Sequence, residues 1–153
     1  MARRMGIHTM VQSRKAPRPT GPYAQGVRVE QPGCMLFVSG QIPLQVPTGQ
    51  VFTGAIQRQA ELALTHMKNV VLDAGFELDH VVRCTVYLVD LAHTEVVNAA
   101  YQKLFVGHAL PARVMVQVAG LPQGVGIEVD AIAVQAAPGA RPGGAAPGSA
   151  PAA

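Results

Sequence analysis

Residues 56–75 read IQRQAELALTHMKNVVLDAG, and this stretch decides the fold class. Its apolar residues recur every three or four positions, which places them on one side of a helix of about five turns. Thr53 is the predicted N-cap, and Gly75 is predicted to follow the C-terminal end. Because an apolar stripe must be buried, this helix is expected to pack against a second layer. The stripe consists of Ile56, Ala60, Ala63, Leu64, Met67, Val71 and Ala74.

Segments on both sides of this helix have the alternation and β-branched composition of strands. Upstream, 27–30 and 35–39 flank a Pro-Gly pair and predict a β-hairpin. Downstream, a strand over 81–89 precedes a shorter amphipathic helix, which includes Val97, Tyr101, Leu104 and Phe105. Two further strands follow, over 114–118 and 127–133. The predicted order is therefore β-β-α-β-α-β-β.

This order predicts an α+β protein: a two-layer sandwich with a mixed sheet of four to six strands and two helices on one face. One face of the sheet is left uncovered. We assign to it Arg113, Met115 and Gln117 on one strand, and Arg83 and Tyr87 on another. A second copy of the chain is the simplest cover, so the sequence predicts a homo-oligomer.

The chain has 153 residues, the size of one domain, and its charge is unevenly distributed. Residues 1–28 carry six basic side chains and no acid, whereas 29–134 carry five basic and nine acidic ones. We predict a flexible basic arm over 1–18, a folded domain over 19–135 and a disordered Ala/Gly/Pro tail over 136–153. The acidic charge of the folded part argues against a broad surface for nucleic acid.

Several familiar kinds of site are missing from the sequence. No apolar run approaches the roughly 20 residues of a membrane span and no secretory signal is present, so we expect a cytoplasmic protein without a membrane partner. Cys34 and Cys84 are predicted to be buried, reduced thiols. The five histidines have no metal-ligand spacing, and no phosphate loop or G-x-S-x-G elbow occurs. We therefore expect neither a metal nor a cofactor.

Arg113 is the only basic residue between Lys103 and Arg141, and its strand is otherwise apolar. A guanidinium buried in such a strand requires an anion. Two interpretations stay open from the residues alone. In one, Arg113 pairs with Glu128, with Asp130 or with an acid of a neighbouring subunit. In the other, its planar fork binds a substrate carboxylate, and Glu128 serves water or proton chemistry nearby.

Six motifs resemble those of the RidA (YjgF) family, and they extend over the whole predicted domain. Each is short, whereas their order and spacing together are specific. The motifs are Gly21-Pro-Tyr-Ala-Gln-Gly, Val38-Ser-Gly-Gln-Ile-Pro, Asn69-Val-Val-Leu-Asp-Ala-Gly, Val97-Asn-Ala-Ala-Tyr, Pro111-Ala-Arg, and the pair Val118-Ala-Gly-Leu-Pro and Ile127-Glu-Val-Asp-Ala-Ile-Ala-Val.

The resemblance implies a chorismate-mutase-like fold, a homotrimer with clefts at the subunit interfaces, and no cofactor. It also implies an enzyme of the 2-iminobutanoate/2-iminopropanoate deaminase type. Such an enzyme hydrolyses reactive enamine and imine intermediates, such as 2-aminoacrylate and its 2-imino tautomer, to 2-oxo acids and ammonia. An imine carbon is already electrophilic, so the protein needs mainly to position the substrate and to place a carboxylate near the water.

The resemblance also assigns roles by position. Arg113 would hold the substrate carboxylate, and Glu128 would orient or activate the attacking water. Backbone groups at Gly40 and Met115 would contact the ligand. The other matching positions are Tyr23 and Ser39, which would line the cleft, and Asn98, whose role stays open.

The chain departs from many close members of the family at three positions. Met115, Gln117 and Gly120 stand where those members have cysteine, glutamate and arginine. Met115 narrows the pocket and makes it more apolar, so we expect a shifted substrate preference. Two other functions stay open, a non-catalytic trimer that binds 2-oxo acids or another metabolite, and a ribonuclease or translation inhibitor. The acidic domain and the lack of a histidine pair argue against RNA as a partner.

Overall fold

The computed structural model describes residues 4, 5 and 8–140. Nine strands and two α-helices follow one another in this part of the chain, with three short 3₁₀ helices at Leu78–His80, Leu91–His93 and Pro122–Gly124. The strands are β1 (Arg4–Met5), β2 (His8–Val11), β3 (Gly26–Val29), β4 (Pro32–Gln41), β5 (Leu44–Gln45), β6 (Gln50–Val51), β7 (Val81–Leu88), β8 (Ala112–Gln117) and β9 (Ile127–Ala136), and the helices are α1 (Ile56–Asp73) and α2 (Thr94–Leu104).

The central sheet has four strands in the order β4-β9-β7-β8. β7 and β8 are parallel, because α2 carries the chain from the end of one to the start of the other, and the other two pairs are antiparallel. Both helices pack on one side, the helix-covered face, which carries Cys84, Val86 and Leu88 of β7. The other side, the open face, carries Thr85 and Tyr87. The prediction of an α+β protein with two helices on a mixed sheet is confirmed.

α1 buries most of the apolar stripe that the sequence predicts, whereas Ile56 is only partly buried and Ala74 is exposed. The helix ends at Asp73, and Gly75 follows the end as predicted, with the left-handed φ of 79° that favours a glycine there. The N–H of Phe76 donates to the Val71 carbonyl at 3.0 Å, which closes a Schellman motif. The start of the helix differs from the prediction, because Ala55 rather than Thr53 occupies the N-cap position and no side chain caps it. Its buried apolar residues are Ala60, Ala63, Leu64, Met67 and Val71.

The predicted hairpin between 27–30 and 35–39 is wrong. β3 pairs with β2 in a separate three-stranded sheet, whereas β4 pairs with β9 in the central sheet. Gln31 lies between β3 and β4 with a φ of 50°, and the chain passes there from one sheet to the other. The turn residues correctly marked a break. They did not identify the pairing, because the partners of both strands lie elsewhere in the sequence.

The segment 1–18, which the sequence predicts to be a flexible arm, contains two strands, β1 and β2. β2 forms within it and pairs with β3, and the side chain of His8 is buried. Farther along, the side chain of Gln25 accepts from the Ser13 N–H at 2.6 Å and donates to the Pro17 carbonyl at 2.5 Å. These contacts attach the segment after β2 to the domain. The mostly polar composition of residues 8–18 therefore did not reveal that this segment pairs with β3 and contacts the domain.

The predicted tail begins inside β9, whose last residue is Ala136. The side chain of Gln135 donates to the Gly75 carbonyl at 2.7 Å, so the end of β9 is attached to the end of α1. Residues 1–3, 6 and 7 of the predicted arm and 141–153 of the predicted tail lie outside the described residues.

The assignment of Arg113 to the uncovered face of the sheet is wrong. In the β7–β8 register Arg113 lies beside the buried Cys84, so it points to the helix-covered face. Val114 and Val116 point to the open face instead, where they are 38% and 37% exposed. The alternation of β8 was recognised correctly, but apolar residues were assumed to face the helices. The residues placed on the wrong face are Arg113, Met115 and Gln117.

The open face is partly apolar within the described residues. Besides Val114 and Val116 it carries Phe37, which lies beside Ile132 and is 69% exposed. Arg83 also lies on the open face, as the sequence predicts, and pairs with the same residue, Ile132. Exposed valine and phenylalanine side chains on one sheet face favour a covering partner. The homo-oligomer stays a prediction, and this is the surface that it would cover.

Acid is expected to weaken the fold through His8. The Nδ1–H of His8 donates to the Asp79 carbonyl at 3.2 Å, while Nε2 is buried and has no hydrogen-bond partner among the described residues. Burial lowers the pKa of His8 from its usual 6.5, and the nearby His80 acts in the same direction. The unfolded chain therefore takes up this proton more readily than the folded one. The free energy of unfolding should fall as the pH drops below about 6.5.

Chemical unfolding at about pH 7.5 and about pH 5 measures this loss, whose slope for one proton is at most ~1.4 kcal/mol per pH unit. His8→Asn is the matched control, because its amide can donate to the same carbonyl without titrating. We expect the wild-type protein to lose more free energy of unfolding than His8→Asn. Equal losses would assign the acid sensitivity to other groups.

Candidate active site

Arg113 lies on β8, the edge strand of the central sheet, next to the loop that begins at Gly21. Ala24 of this loop forms an isolated parallel bridge with Ala112, and its N–H donates to the Pro111 carbonyl at 3.0 Å. The bridge holds the loop beside the start of β8. Two motifs that are far apart in the sequence, Gly-Pro-Tyr and Pro-Ala-Arg, therefore meet in space.

The guanidinium of Arg113 lies between two tyrosine rings. Its Cζ is 4.8 Å from the centroid of the Tyr101 ring on α2 and 5.3 Å from that of Tyr23 on the loop. Both distances are in the range of cation–π interactions. Gly21 makes room for this arrangement, because a Cβ there would lie 3.1 Å from Nη2 of Arg113 and 3.6 Å from Nδ2 of Asn98. Three predicted site residues, Arg113, Tyr23 and Asn98, thus come together in what we call the arginine half of the site.

The arginine half contains donors and an acceptor that are not used. Arg113 takes part in none of the ion pairs among the described residues, and its buried Nη1 has no hydrogen-bond partner there. Burial lowers the pKa of Arg113, although an arginine stays protonated in proteins. Oδ1 of Asn98 is also buried and unpaired. The Arg113 guanidinium could donate to a carboxylate of a ligand, and the Asn98 oxygen could accept from an N–H of the same ligand.

The glutamate half of the site lies on the open face. Glu128 of β9 lies beside Tyr87 of β7, and Gly40 of β4 is so close that a Cβ there would overlap the Glu128 carboxylate. Ser39 precedes Gly40, where the β4–β9 register shifts. Glu128 takes part in none of the ion pairs among the described residues. By contrast Asp130 accepts two hydrogen bonds, from the backbone N–H of Thr85 at 3.1 Å and from the hydroxyl of Tyr87 at 2.9 Å.

Within one chain the two halves do not meet. Arg113 points to the helix-covered face and Glu128 to the open face, and β7 lies between their strands. A salt bridge from Arg113 to Glu128 or Asp130 of the same chain is therefore wrong as an interpretation. An acid of a neighbouring copy and a bound carboxylate stay open. The seven predicted site residues fall into two groups, with Arg113, Tyr23, Asn98 and Met115 in one and Glu128, Gly40 and Ser39 in the other.

The three departures from the family pattern differ in their surroundings. Met115 packs against the core from the helix-covered face, and the ligand contact of its backbone stays a prediction. Gln117 has a local role, because its side-chain oxygen accepts from the N–H of Leu91 at 3.0 Å. Gly120 has open space around the position of a Cβ, and nothing in the described part of the chain explains the loss of the arginine there.

Sequence reasoning missed Gly21 and Tyr101 as members of the arginine half. Tyr101 was assigned to the apolar stripe of α2, and it is indeed fully buried. The available signal was its spacing, because Asn98 and Tyr101 are three residues apart and share one side of the helix. An apolar stripe that includes both an amide and a phenol next to a strand arginine indicates a polar site at the edge of the core.

The cysteines offer no reactive thiol in this site. Burial raises the pKa of Cys84 to about 12, which keeps it protonated. Cys34, predicted to be buried, is exposed. No group of three His, Cys, Asp or Glu side chains that could hold a metal ion occurs in the described part of the chain. Neither helix of residues 8–140 has the length and apolar character needed to cross a membrane.

Fold and site together define a small α+β protein with a half-buried arginine that has no acidic partner within residues 8–140 and is suited to an anionic ligand. The sequence model of the family described as "Endoribonuclease L-PSP" matches residues 13–135. The chain is 38% identical to the 2-iminobutanoate/2-iminopropanoate deaminase of Mus musculus, over 84% of this chain and 93% of the relative. It belongs to the RidA/YjgF family, and the resemblance of its motifs is confirmed.

Solved structures agree with this assignment. The crystal structure of E. coli TdcF with bound serine matches with a TM-score of 0.64 and 38% identity, over 83% of this chain and 98% of that one. The structure of the YjgF gene product from E. coli matches with a TM-score of 0.62 and 41% identity, over 78% and 93%. The α+β architecture is therefore that of the family.

Proposed function

We propose that this protein hydrolyses reactive enamine and imine intermediates, such as 2-aminoacrylate and its 2-imino tautomer, to 2-oxo acids and ammonia. It acts in the cytoplasm and without a cofactor. The observation that carries the proposal is the half-buried guanidinium of Arg113, whose Nη1 is unpaired among the described residues. A substrate carboxylate would satisfy it. The activity named for the mouse relative supports 2-imino acids as the substrate class.

The proposed reaction uses one residue for binding and one for proton transfer. Arg113 binds the substrate carboxylate through two parallel hydrogen bonds and places the imine carbon. Glu128 accepts a proton from water as the water oxygen attacks this carbon. With the imine protonated on nitrogen, this attack gives a neutral carbinolamine, and Glu128 then returns its proton to the carbinolamine nitrogen. The C–N bond breaks, and the departing ammonia takes up the hydroxyl proton as the C=O of the 2-oxo acid forms. Backbone groups at Gly40 and Met115 contact the ligand.

We place each site between two copies of the chain in a homotrimer. Arg113 and Glu128 point to opposite faces of one sheet, so one copy would supply the arginine half and its neighbour the glutamate half. The exposed Phe37, Val114 and Val116 support burial of the open face in such an assembly. Light scattering measures the number of copies directly.

Mixing two inactive variants tests the shared site. Subunits with Arg113→Ala and subunits with Glu128→Gln are coexpressed with different tags and purified together. In a cyclic trimer that contains both kinds of subunit, one of the three sites combines an intact arginine with an intact glutamate, so trimers purified through both tags should show about a third of the wild-type activity. No recovery is expected if one chain supplies both residues.

The activity is tested by generating imino acids with an amino-acid oxidase from a panel of amino acids. We expect the protein to accelerate the release of ammonia and 2-oxo acid, and Arg113→Ala to abolish the acceleration. Binding of 2-oxobutyrate without acceleration would indicate a metabolite-binding trimer instead. RNA cleavage that survives Arg113→Ala would favour the endoribonuclease that the family description names.

Gly21→Ala is expected to weaken binding of 2-oxobutyrate on the order of tenfold, because misplacing a binding group by a fraction of an ångström is costly. The new methyl group would lie 3.1 Å from Nη2 of Arg113 and 3.4 Å from Cε1 of Tyr23, and the guanidinium would have to shift. Gly26→Ala is the matched control, since its nearest neighbour would be Cβ of Val11 at an ordinary 3.6 Å. Calorimetry measures both, and equal affinities would contradict the prediction.

A further inference from the structure

Tyr101 is the deeper of the two rings that flank Arg113. Its side chain is fully buried, and its ring packs on Phe105 with a centroid distance of 4.8 Å and an angle of 40° between the planes. Tyr23, on the other side of the guanidinium, belongs to a loop and is only partly buried. Tyr101 is therefore held by the core of the domain, whereas Tyr23 is held only through its loop, which is bridged to β8.

The ring of Tyr101, and not its hydroxyl, makes the contact with Arg113. Cζ of Arg113 lies 4.8 Å from the ring centroid, shorter than the 5.3 Å to Tyr23. The hydroxyl is buried and interacts with the thiol of Cys84 instead. The attraction between a cation and a ring face grows when water is excluded from both. The buried ring is thus the stronger partner of this cation.

Resting on the proposed function, we infer that Tyr101 is a positioning residue: its buried ring fixes the plane of the Arg113 guanidinium for two-point binding of the substrate carboxylate. A bidentate contact needs one orientation of a planar fork, and an arginine side chain has many rotamers. No carboxylate of the described residues orients Arg113. The Tyr101 face supplies that orientation before the substrate arrives.

Three variants separate this role from the contribution of Tyr101 to the core. Tyr101→Phe keeps the ring, Tyr101→Leu removes it, and Phe76→Leu makes the same kind of truncation at another buried ring, which packs on His80. Two quantities are measured on each: the affinity for 2-oxobutyrate, and the rate at which phenylglyoxal modifies Arg113 in the ligand-free protein, followed by mass spectrometry.

We expect Tyr101→Phe and Phe76→Leu to stay within about twofold of the wild-type protein in both quantities. Tyr101→Leu should bind 2-oxobutyrate about tenfold more weakly, and its Arg113 should react several-fold faster, because the guanidinium is no longer held. Equal values for Tyr101→Leu and Phe76→Leu would overturn the inference. If the wild-type protein binds no 2-oxo acid, the proposed function fails. The rates of phenylglyoxal modification then test by themselves whether Tyr101 holds the Arg113 guanidinium.

A shape-preserving substitution covers the case in which Tyr101→Leu does not fold. Pentafluorophenylalanine at position 101 is close to phenylalanine in shape but reverses the charge distribution of the ring face, so its attraction for a cation is lost. We expect this protein to bind 2-oxobutyrate more weakly than Tyr101→Phe, and its Arg113 to be modified faster. Identical behaviour of the two would also overturn the inference.

Discussion

Glu128→Gln is expected to lower imine hydrolysis on the order of 10²–10⁴-fold, because an amide cannot take a proton from water. The affinity for 2-oxobutyrate should change little or increase, since a carboxylate close to the ligand carboxylate repels it. The fold should tolerate the change, because Glu128 takes part in none of the ion pairs among the described residues. Hydrolysis rate, affinity and melting temperature are measured on this one variant.

Asp130→Asn is the matched control for Glu128→Gln. It makes the same chemical change two residues farther along the same face, at a carboxylate that accepts hydrogen bonds from Thr85 and Tyr87. We expect this variant to lose stability and to keep most of its turnover. An active Glu128→Gln protein would show that another group accepts the proton from the attacking water. An unstable one would instead assign Glu128 to a contact between subunits.

Arg113→Lys is expected to be almost as damaging as Arg113→Ala. An ammonium cannot reproduce the two parallel hydrogen bonds of a guanidinium or its stacking between two rings. Affinity for 2-oxobutyrate should fall at least about a hundredfold in both variants, the loss typical of removing one partner of a buried charged contact. Both proteins should stay folded, because no intrachain ion pair of the described residues is lost.

Calorimetry with 2-oxobutyrate and light scattering check this prediction together. Arg58→Lys is the control, since Arg58 is exposed on α1 and pairs only with Glu61. It should bind as tightly as the wild-type protein. Wild-type affinity in Arg113→Lys would contradict the two-point contact. Loss of the oligomer in both variants would favour a salt bridge from Arg113 to an acid of a neighbouring copy.

Local patterns predicted the helices well and the pairing of strands poorly. The stripe of α1 and its end at Gly75 depend on residues within a few positions of one another, so the sequence carries them directly. The hairpin around Gln31 failed because β4 pairs with β9, about a hundred residues away. β2 was missed because its four residues, His8–Val11, are too few to show an alternation, and pairing with β3 makes this segment a strand.

By itself the sequence determined the class of the fold and the family, because these depend on periodicity and on motifs. Only the tertiary structure decided which face each residue takes. A shift of one residue in the pairing register turns each side chain of a strand to the other face of the sheet. The register depends on strands that lie far along the chain. The pairing of β8 with β7 turns Arg113 towards Tyr101 and away from Glu128. That separation is the physical reason for our proposal that each site lies between two copies of the chain.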